Sequence, residues 1–254
     1  MNPKTHTFPL TEPIDLVVQL GHGTLTVTAR DDLADATVTL AARGGDPALL
    51  DRFTVELRGR TLTVKGPRQG GLSDLIGGWR KDRDAVDATI VVPTGTVAKV
   101  ATASADITTT GRLGAADIAA GHADITLDTV AGDLRLRYGH GDSRVEIVTG
   151  SVRMQAGHGA FAASRIGGDV HVRTGHGSTS IDAAGGNVDL ATGSGALSVG
   201  VPDGVSVRLD VTTGSGIVHS DLPIDSAPRA GARAVTLRAR TGSGDVRLVR
   251  APAA

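Results

Sequence analysis

A Gly-His-Gly triplet, or a close copy of it, returns every 18 residues between positions 121 and 199. The first glycines of these copies are Gly121, Gly139, Gly157, Gly175 and Gly193, and a second series with the same interval is Gly114, Gly132, Gly150, Gly168 and Gly186. A fixed period of this length is the signature of a repeat architecture, in which each unit buries its apolar side against its neighbours. No other feature constrains the fold as strongly.

Apolar positions follow the same interval. Each 18-residue unit divides into two halves, and each half has a Gly-rich turn followed by a strand of four to six residues. The stacked apolar columns are Leu134, Val152, Val170 and Val188; Leu136, Met154, Val172 and Leu190; and Leu127, Val145, Ala163, Ile181 and Val199. We therefore predict an all-β fold, a right-handed parallel β-helix (β-solenoid) of about six to eight coils, paired at ~4.8 Å.

The interval lengthens after Gly193, to 21 residues at Gly214 and then 28 residues at Gly242. The extra residues fall at 201–204 and 223–233, both rich in turn-forming residues. We predict that the repeats occupy residues 97–250 and that the last coil ends at Val249.

Residues 1–96 alternate apolar and polar side chains over short stretches, which is typical of strands. Gly59 predicts a hairpin turn, and Gly21-His22-Gly23 is an early copy of the triplet, so we expect the first hairpin to share a wall with the later repeats. The expected result is an antiparallel section that caps the solenoid within one continuous domain. The predicted strands are Ile14–Leu20, Thr24–Ala29, Ala36–Ala41, Phe53–Leu57, Thr61–Lys65 and Ala88–Val92.

Residues 66–87 interrupt this pattern with glycine, proline and charged residues around a small apolar group that includes Trp79. Such a segment is typically a surface loop whose apolar side chains pack on the adjacent sheet. Because aromatic anchors are enriched at protein interfaces, the alternative is a partner-binding loop centred on Trp79.

Gly-Asp-Val units occur at 168–170 and 244–246, the second within a C-terminal block from Ala239 to Leu248. In these units, and in the order of N-terminal β section, Gly-rich Trp loop and repeats, the sequence resembles a bacterial family of unknown function. That family is described as "putative adhesin", and its coils carry Thr-x-x-Gly-Asp-Val/Ile units. The resemblance covers nearly the whole chain, and it implies a right-handed parallel β-helix with no established enzyme activity.

Composition argues against several classes of protein. A net charge of −1 gives no general attraction to nucleic acid or anionic membranes, and the absence of cysteine rules out disulfides and thiolate metal sites. The N-terminal sequence through Leu16 lacks a secretory signal, and no apolar run approaches the ~18 residues that span a bilayer. We therefore expect a cytoplasmic protein with no transmembrane segment.

Histidines stand at the centre of four successive triplets, so parallel stacking places them within ~5 Å of one another. One interpretation is a metal-binding or anion-binding stripe, but ligands in a straight ladder do not converge on one ion. Another is a pH-sensitive stack that loosens below about pH 6 as like charges meet. A calcium-binding β-roll is disfavoured, because Ala160, Ser178 and Ala196 replace the required Asp. The four histidines are His122, His140, His158 and His176.

Charged columns on the outer walls suggest binding surfaces. One wall carries Arg135, Arg153 and His171 beside Arg137, Gln155 and Arg173, and the opposite wall carries Asp128, Glu146, Ser164 and Asp182. Simple solvation is one explanation. The alternatives are association of copies through faces or ends, and binding of a protein or an acidic polymer along the basic stripe.

No catalytic motif is present, whether a nucleophile elbow, a phosphate loop or a His-Glu-x-x-His metal site. Asp124 and Asp142 stack at a spacing compatible with a glycosidase pair, as any two stacked residues would. We expect no enzyme activity and no cofactor, and predict a rigid scaffold or adhesin-like binding module. The alternatives are a bactofilin-like self-assembling protein and a carbohydrate-active β-helix enzyme.

Overall fold

The computed structural model describes residues 3–10, 12–44, 47–67, 85–222 and 233–251. The described chain is almost entirely β-structure, and its helix, α1, spans Pro47–Asp51. No helix in these ranges has the length and apolar character needed to cross a membrane. The chain divides into two compact units, residues 1–129 and residues 130–254.

The first unit combines antiparallel and parallel strands. β3 pairs antiparallel with β1 and β6, and β4 pairs antiparallel with β5 through the predicted turn at Gly59. The antiparallel N-terminal section is therefore confirmed, although β1 and α1 were not predicted. Its strands are β1 (Lys4–Pro9), β2 (Asp15–Arg30), β3 (Asp35–Ala42), β4 (Thr54–Arg58), β5 (Thr61–Lys65), β6 (Ala85–Pro93), β7 (Val97–Thr110), β8 (Arg112–Leu113), β9 (Ala116–His122) and β10 (Ile125–Val130).

One N-terminal prediction is wrong: Gly21-His22-Gly23 is not a hairpin. β2 is a single strand of 16 residues that includes the triplet, and it pairs in parallel with β5, β6 and β7. His22 lies beside Ser104, and Ser104 beside His122, so the triplet is a corner of the same kind as in the repeats. The residues before and after the triplet pair with β7 in one continuous parallel register, whereas a hairpin would reverse the direction of the chain.

The second unit is a parallel β-solenoid, so the predicted β-helix is confirmed. Strands one coil apart pair at the predicted 18-residue interval, with Leu134 beside Val152, Val152 beside Val170 and Val170 beside Val188. These columns form the core, since all four residues are buried. The strands are β11 (Leu134–His140), β12 (Ser143–Val148), β13 (Val152–His158), β14 (Phe161–Ile166), β15 (Val170–His176), β16 (Thr179–Ala184), β17 (Val188–Ser194), β18 (Leu197–Val201), β19 (Val205–Ser215), β20 (Val218–Ser220), β21 (Arg233–Ser243) and β22 (Val246–Arg250).

The coils do not stack in chain order. β17 pairs with β21 through Val188 and Leu237, and β21 pairs in turn with β19 through Leu237 and Leu209. The coil of β21 and β22 therefore lies between the β17–β18 coil and the β19–β20 coil. The inner position suits β22, because its core-facing residues Val246 and Leu248 are both apolar, whereas β20 places Ser220 beside Leu248.

Glycine recurs at the corners for two reasons. At Gly159 the backbone has a φ of +137°, and a Cβ there would lie 1.8 Å from the carbonyl oxygen of Gly141. Gly157 has no such φ, but a Cβ would lie 2.7 Å from the carbonyl oxygen of Gly139. The triplets therefore need one glycine for a left-handed backbone and another for close approach of the next coil.

Polar side chains at a second corner bond from coil to coil. Asp133 Oδ1 accepts from the Ser151 backbone N–H at 2.8 Å, and Asp169 Oδ1 accepts from the Asn187 backbone N–H at 2.8 Å. Asn187 Oδ1 continues the series by accepting from Thr236 N–H at 2.9 Å. Each of these bonds joins one coil to the next, so the series helps to hold the turns in register.

Candidate anion-binding face

The predicted basic wall lies on the sheet formed by β11, β13, β15, β17, β21 and β19. Core-facing residues alternate with outward ones along each strand, so the outward side chains form columns. We call the two central columns the basic face. The first column is Arg135, Arg153, His171, Asp189, Arg238 and Asp210, and the second is Arg137, Gln155, Arg173, Ala191, Arg240 and Thr212.

Charge changes along the first column. Arg135 and Arg153 have no carboxylate partner in the described part of the chain. His171 Nδ1 lies 3.1 Å from Asp189 Oδ2, and Arg238 donates from Nε to Asp210 Oδ2 at 2.8 Å. The column is therefore cationic at β11 and β13, and its charges are paired from β15 onward.

The second column borders an open groove of about 770 Å³. Exposed Arg173 and Arg240 stand at two of its walls, and the smaller Ala191 lies between them. Two strand spacings separate these arginines, which corresponds to about 10 Å between their backbones. Threonine, alanine and glycine supply most of the remaining lining, so the surface between the two guanidinium groups is low and accessible.

The two arginines differ in their pairing. Arg240 lies 3.5 Å from Asp210 Oδ2, which also accepts the shorter bond from Arg238. That Arg238 bond, with the nearby positive charges, lowers the pKa of Asp210 below its ordinary value. Within the described residues Arg173 has no acidic partner, and its exposed guanidinium group carries five N–H donors beside the groove. Arg173 is the stronger candidate for binding an anion.

Arg238 and Arg240 were missed in the sequence. Reading the coils in chain order places β19 after β17, which puts Asp210 and Thr212 beside Asp189 and Ala191. The structure puts β21 there, and the basic face continues through its two arginines. The repeated Thr-Gly-Ser-Gly at 192–195 and 241–244 aligns Ala191 with Arg240, but the copy at 213–216 aligns Ala191 with Thr212 equally well.

The histidine ladder is present in the second unit. The rings of His140 and His158 stack with centroids 4.9 Å apart, and those of His158 and His176 stack at 4.8 Å. His122 occupies the corresponding corner of the first unit, beside Ser104. No group of three or more His, Asp or Glu side chains in the described ranges is arranged to hold a metal ion.

The remaining candidates lie elsewhere. Asp142 Oδ1 accepts from the Ala160 N–H at 2.8 Å, and Asp124 donates its backbone N–H to Asp106 Oδ1 at 3.3 Å. The Asp142 carboxylate therefore bonds to the next coil at this corner, whereas Asp124 contributes its backbone N–H to the bond with Asp106. Trp79 and most of the loop 66–87 lie outside the described residues.

Comparison with known proteins supports the fold. No protein-family model matches the sequence, and no curated protein matches it. The crystal structure of a "putative adhesin" from Bacteroides fragilis covers 97% of this chain and 97% of its own, with 12% identity and a TM-score of 0.51.

Two further solved structures, both from Parabacteroides distasonis, match with TM-scores below 0.5. A "putative adhesin" is 14% identical over 97% of each chain, with a TM-score of 0.40. A "putative lipid binding protein" is 12% identical over 98% of this chain and 96% of its own, with a TM-score of 0.32. The Bacteroides fragilis structure alone carries the comparison, and it confirms the sequence resemblance at the level of the fold.

Proposed function

We propose that this chain is a non-catalytic, adhesin-like binding module that binds acidic polymers along the basic face. The observation that carries the proposal is the groove between Arg173 and Arg240, with Ala191 between them. An extended, carboxylate-bearing chain laid across the strands would meet both guanidinium groups in succession. Guanidinium binds carboxylate through paired, charge-assisted hydrogen bonds, which gives this surface its selectivity for acidic groups.

The form of the surface favours a polymer over a small ligand. Small-molecule sites are typically concave cavities that bury most of the ligand, whereas this groove is open and runs across five strands. Arg135 and Arg153 continue the positive charge on β11 and β13. A flat, repetitive surface of this kind provides several weak contacts that add along a long ligand.

Binding of polygalacturonate and of polyglutamate, compared with neutral dextran, tests the proposal. We expect the two acidic polymers to bind at low salt and to be released as ionic strength rises, because exposed charges are screened. Arg173→Ala should weaken binding about tenfold, since a hydrogen bond to a charged group contributes about 1.5–3 kcal/mol.

Arg165→Ala is the matched control, because it removes an exposed arginine from β14, on the other side of the coil. It should leave binding close to that of the original chain. Equal weakening by Arg165→Ala and Arg173→Ala, or binding of dextran as strong as that of polygalacturonate, would contradict the assignment of the groove.

The proposal includes no reaction. Asp142 Oδ1 accepts from the backbone of the next coil, which supports a structural role for this side chain. Polygalacturonate should therefore keep its chain length during prolonged incubation with the protein. Shortening of the polymer that is lost in an Asp124→Asn, Asp142→Asn double variant would show a hydrolase instead.

A further inference from the structure

The β19–β20 coil ends the second unit with its core side uncovered. Four large apolar side chains are exposed among the described residues, and three of them lie on this coil: Leu209 at 39%, Ile217 at 71% and Val218 at 45%. Leu209 continues the core column of Val188 and Leu237, which are nearly inaccessible. Val218 likewise continues the core column of Val246, so Leu209 and Val218 face the core direction, and no described residue covers them as a further coil would.

The backbone of β19 is also unpaired on one side. In the described part of the chain β19 pairs with β21 alone, and β20 pairs with β22 alone. A long edge strand beside exposed apolar side chains is a template for pairing with another strand. β19 is 11 residues long, and it contains neither proline nor lysine to discourage such pairing.

The sequence of β19 is complementary to itself in the antiparallel direction. If two copies of β19 pair about a two-fold axis at Leu209, Arg208 of each copy lies directly opposite Asp210 of the other. Val207 then lies opposite Val211, and Leu209 lies opposite its own copy. Directly opposite residues share one face of the sheet, so apolar residues meet on the core side and opposite charges meet outside.

The charged residues are suited to this contact. Arg208 is exposed and has no acidic partner among the described residues. Asp210 is held by Arg238 and Arg240, and both of these contacts are to Oδ2. Its other oxygen has no bond within the described residues, and can accept from a guanidinium across the strand.

We propose that two copies of this chain form a closed dimer by antiparallel pairing of their β19 edges, with the two-fold axis at Leu209. The same axis brings the two β20 strands together on the opposite side of the coil, which covers Val218 of each copy. The interface is isologous, so the β19 edge of each copy becomes paired and no free edge is left for a third copy. Head-to-tail stacking would leave one edge free at each end.

Cysteine cross-linking tests the register directly, because the natural chain contains no cysteine. Leu209→Cys places the two thiols opposite each other at the axis, and it should form a covalent dimer under mild oxidation. Val205→Cys is the control, since in this register residue 205 lies opposite Thr213 and away from its own copy. We expect cross-linking of Leu209→Cys at least tenfold faster than that of Val205→Cys. Equal rates for the two variants would overturn the proposal.

A charge exchange provides an independent measurement. Arg208→Asp alone and Asp210→Arg alone each set like charges opposite each other, so both variants should sediment as monomers at concentrations where the original chain is a dimer. A mixture of the two variants restores both opposite pairs and should form a heterodimer. Circular dichroism checks that each variant is folded. A monomeric original chain, a continuously growing polymer, or a mixture of folded variants that stays monomeric would each overturn the proposal.

Discussion

The inner and terminal coils of the second unit use the same columns of residues with different results. Val188 in β17 and Leu237 in β21 are buried, whereas Leu209 at the corresponding position of β19 is 39% exposed. The inner residues have a coil on each side, and Leu209 has a described coil on one side. In a repeat array the burial of a residue therefore depends on its neighbours as much as on its type.

A glycine substitution should distinguish the two environments most strongly. Gly177 has a φ of +142°, and a Cβ there would lie 1.9 Å from the carbonyl oxygen of Gly159. Gly204, in the turn before the terminal coil, has a φ of +78° and no atom near that position. In urea denaturation, Gly177→Ala should lower the free energy of unfolding by more than about 4 kcal/mol. Gly204→Ala should lower it by about 1–2 kcal/mol, the cost of a left-handed backbone.

Leucine truncation should give the next largest difference. We expect Leu190→Ala to lower the free energy of unfolding by about 2–5 kcal/mol, because it leaves a cavity between two coils. Leu209→Ala should cost under about 1 kcal/mol, since solvent already reaches that side chain. Both are measured by urea denaturation in an Arg208→Asp background, so that association between copies does not contribute. Equal losses would show that the terminal coil is as well covered as the inner ones.

The corner hydrogen bonds offer a finer comparison. Asp169 accepts from the backbone and the side chain of Asn187, and Asp245 accepts from the Ile217 N–H at 2.8 Å. Asp169→Ala should lower the free energy of unfolding by about 1 kcal/mol. Asp245→Ala should have little effect on global unfolding, but should speed hydrogen exchange in residues 217–220. Faster exchange at Asn187 in the Asp245 variant would show that the coils do not respond separately.

The smallest expected effect is a pH dependence confined to the terminal coil. The hydrogen bond from Arg238 lowers the pKa of Asp210 below the ordinary Asp value of about 3.9. A lowered folded-state pKa stabilises the ionised form, so this contribution is present above about pH 4 and is lost as the pH falls through the lowered pKa. NMR titration of the Asp210 carboxyl should show this shift. Arg238→Gln should bring the pKa of Asp210 back toward the ordinary value.

The period made most of the second unit predictable. Columns such as Leu134, Val152 and Val170 keep their 18-residue spacing in the structure, because parallel pairing converts a fixed interval into a fixed register. The order of the last coils could not be predicted in the same way. Thr-Gly-Ser-Gly occurs at 192–195, 213–216 and 241–244, so any pair of these coils satisfies the corner equally well.

The 18-residue period also made part of the candidate site predictable. The stripe of Arg135, Arg153 and Arg173 follows from the period, and its continuation depends on which coil comes next. Arg240 enters the groove only because β21 displaces β19 from the position beside β17. The inner position favours the coil with the more apolar core residues, such as Leu248 in β22 against Ser220 in β20, which a short motif does not include.

The exchanged order of the coils has a consequence for biosynthesis. A nascent chain that has emerged only as far as Leu222 contains β19 but lacks β21, the strand with which β19 pairs. The coils up to β18 can assemble as they are made, because each finds its partner in residues already synthesised. The β19–β20 segment can pair only after β21 and β22 have left the ribosome and have packed on the β17–β18 coil.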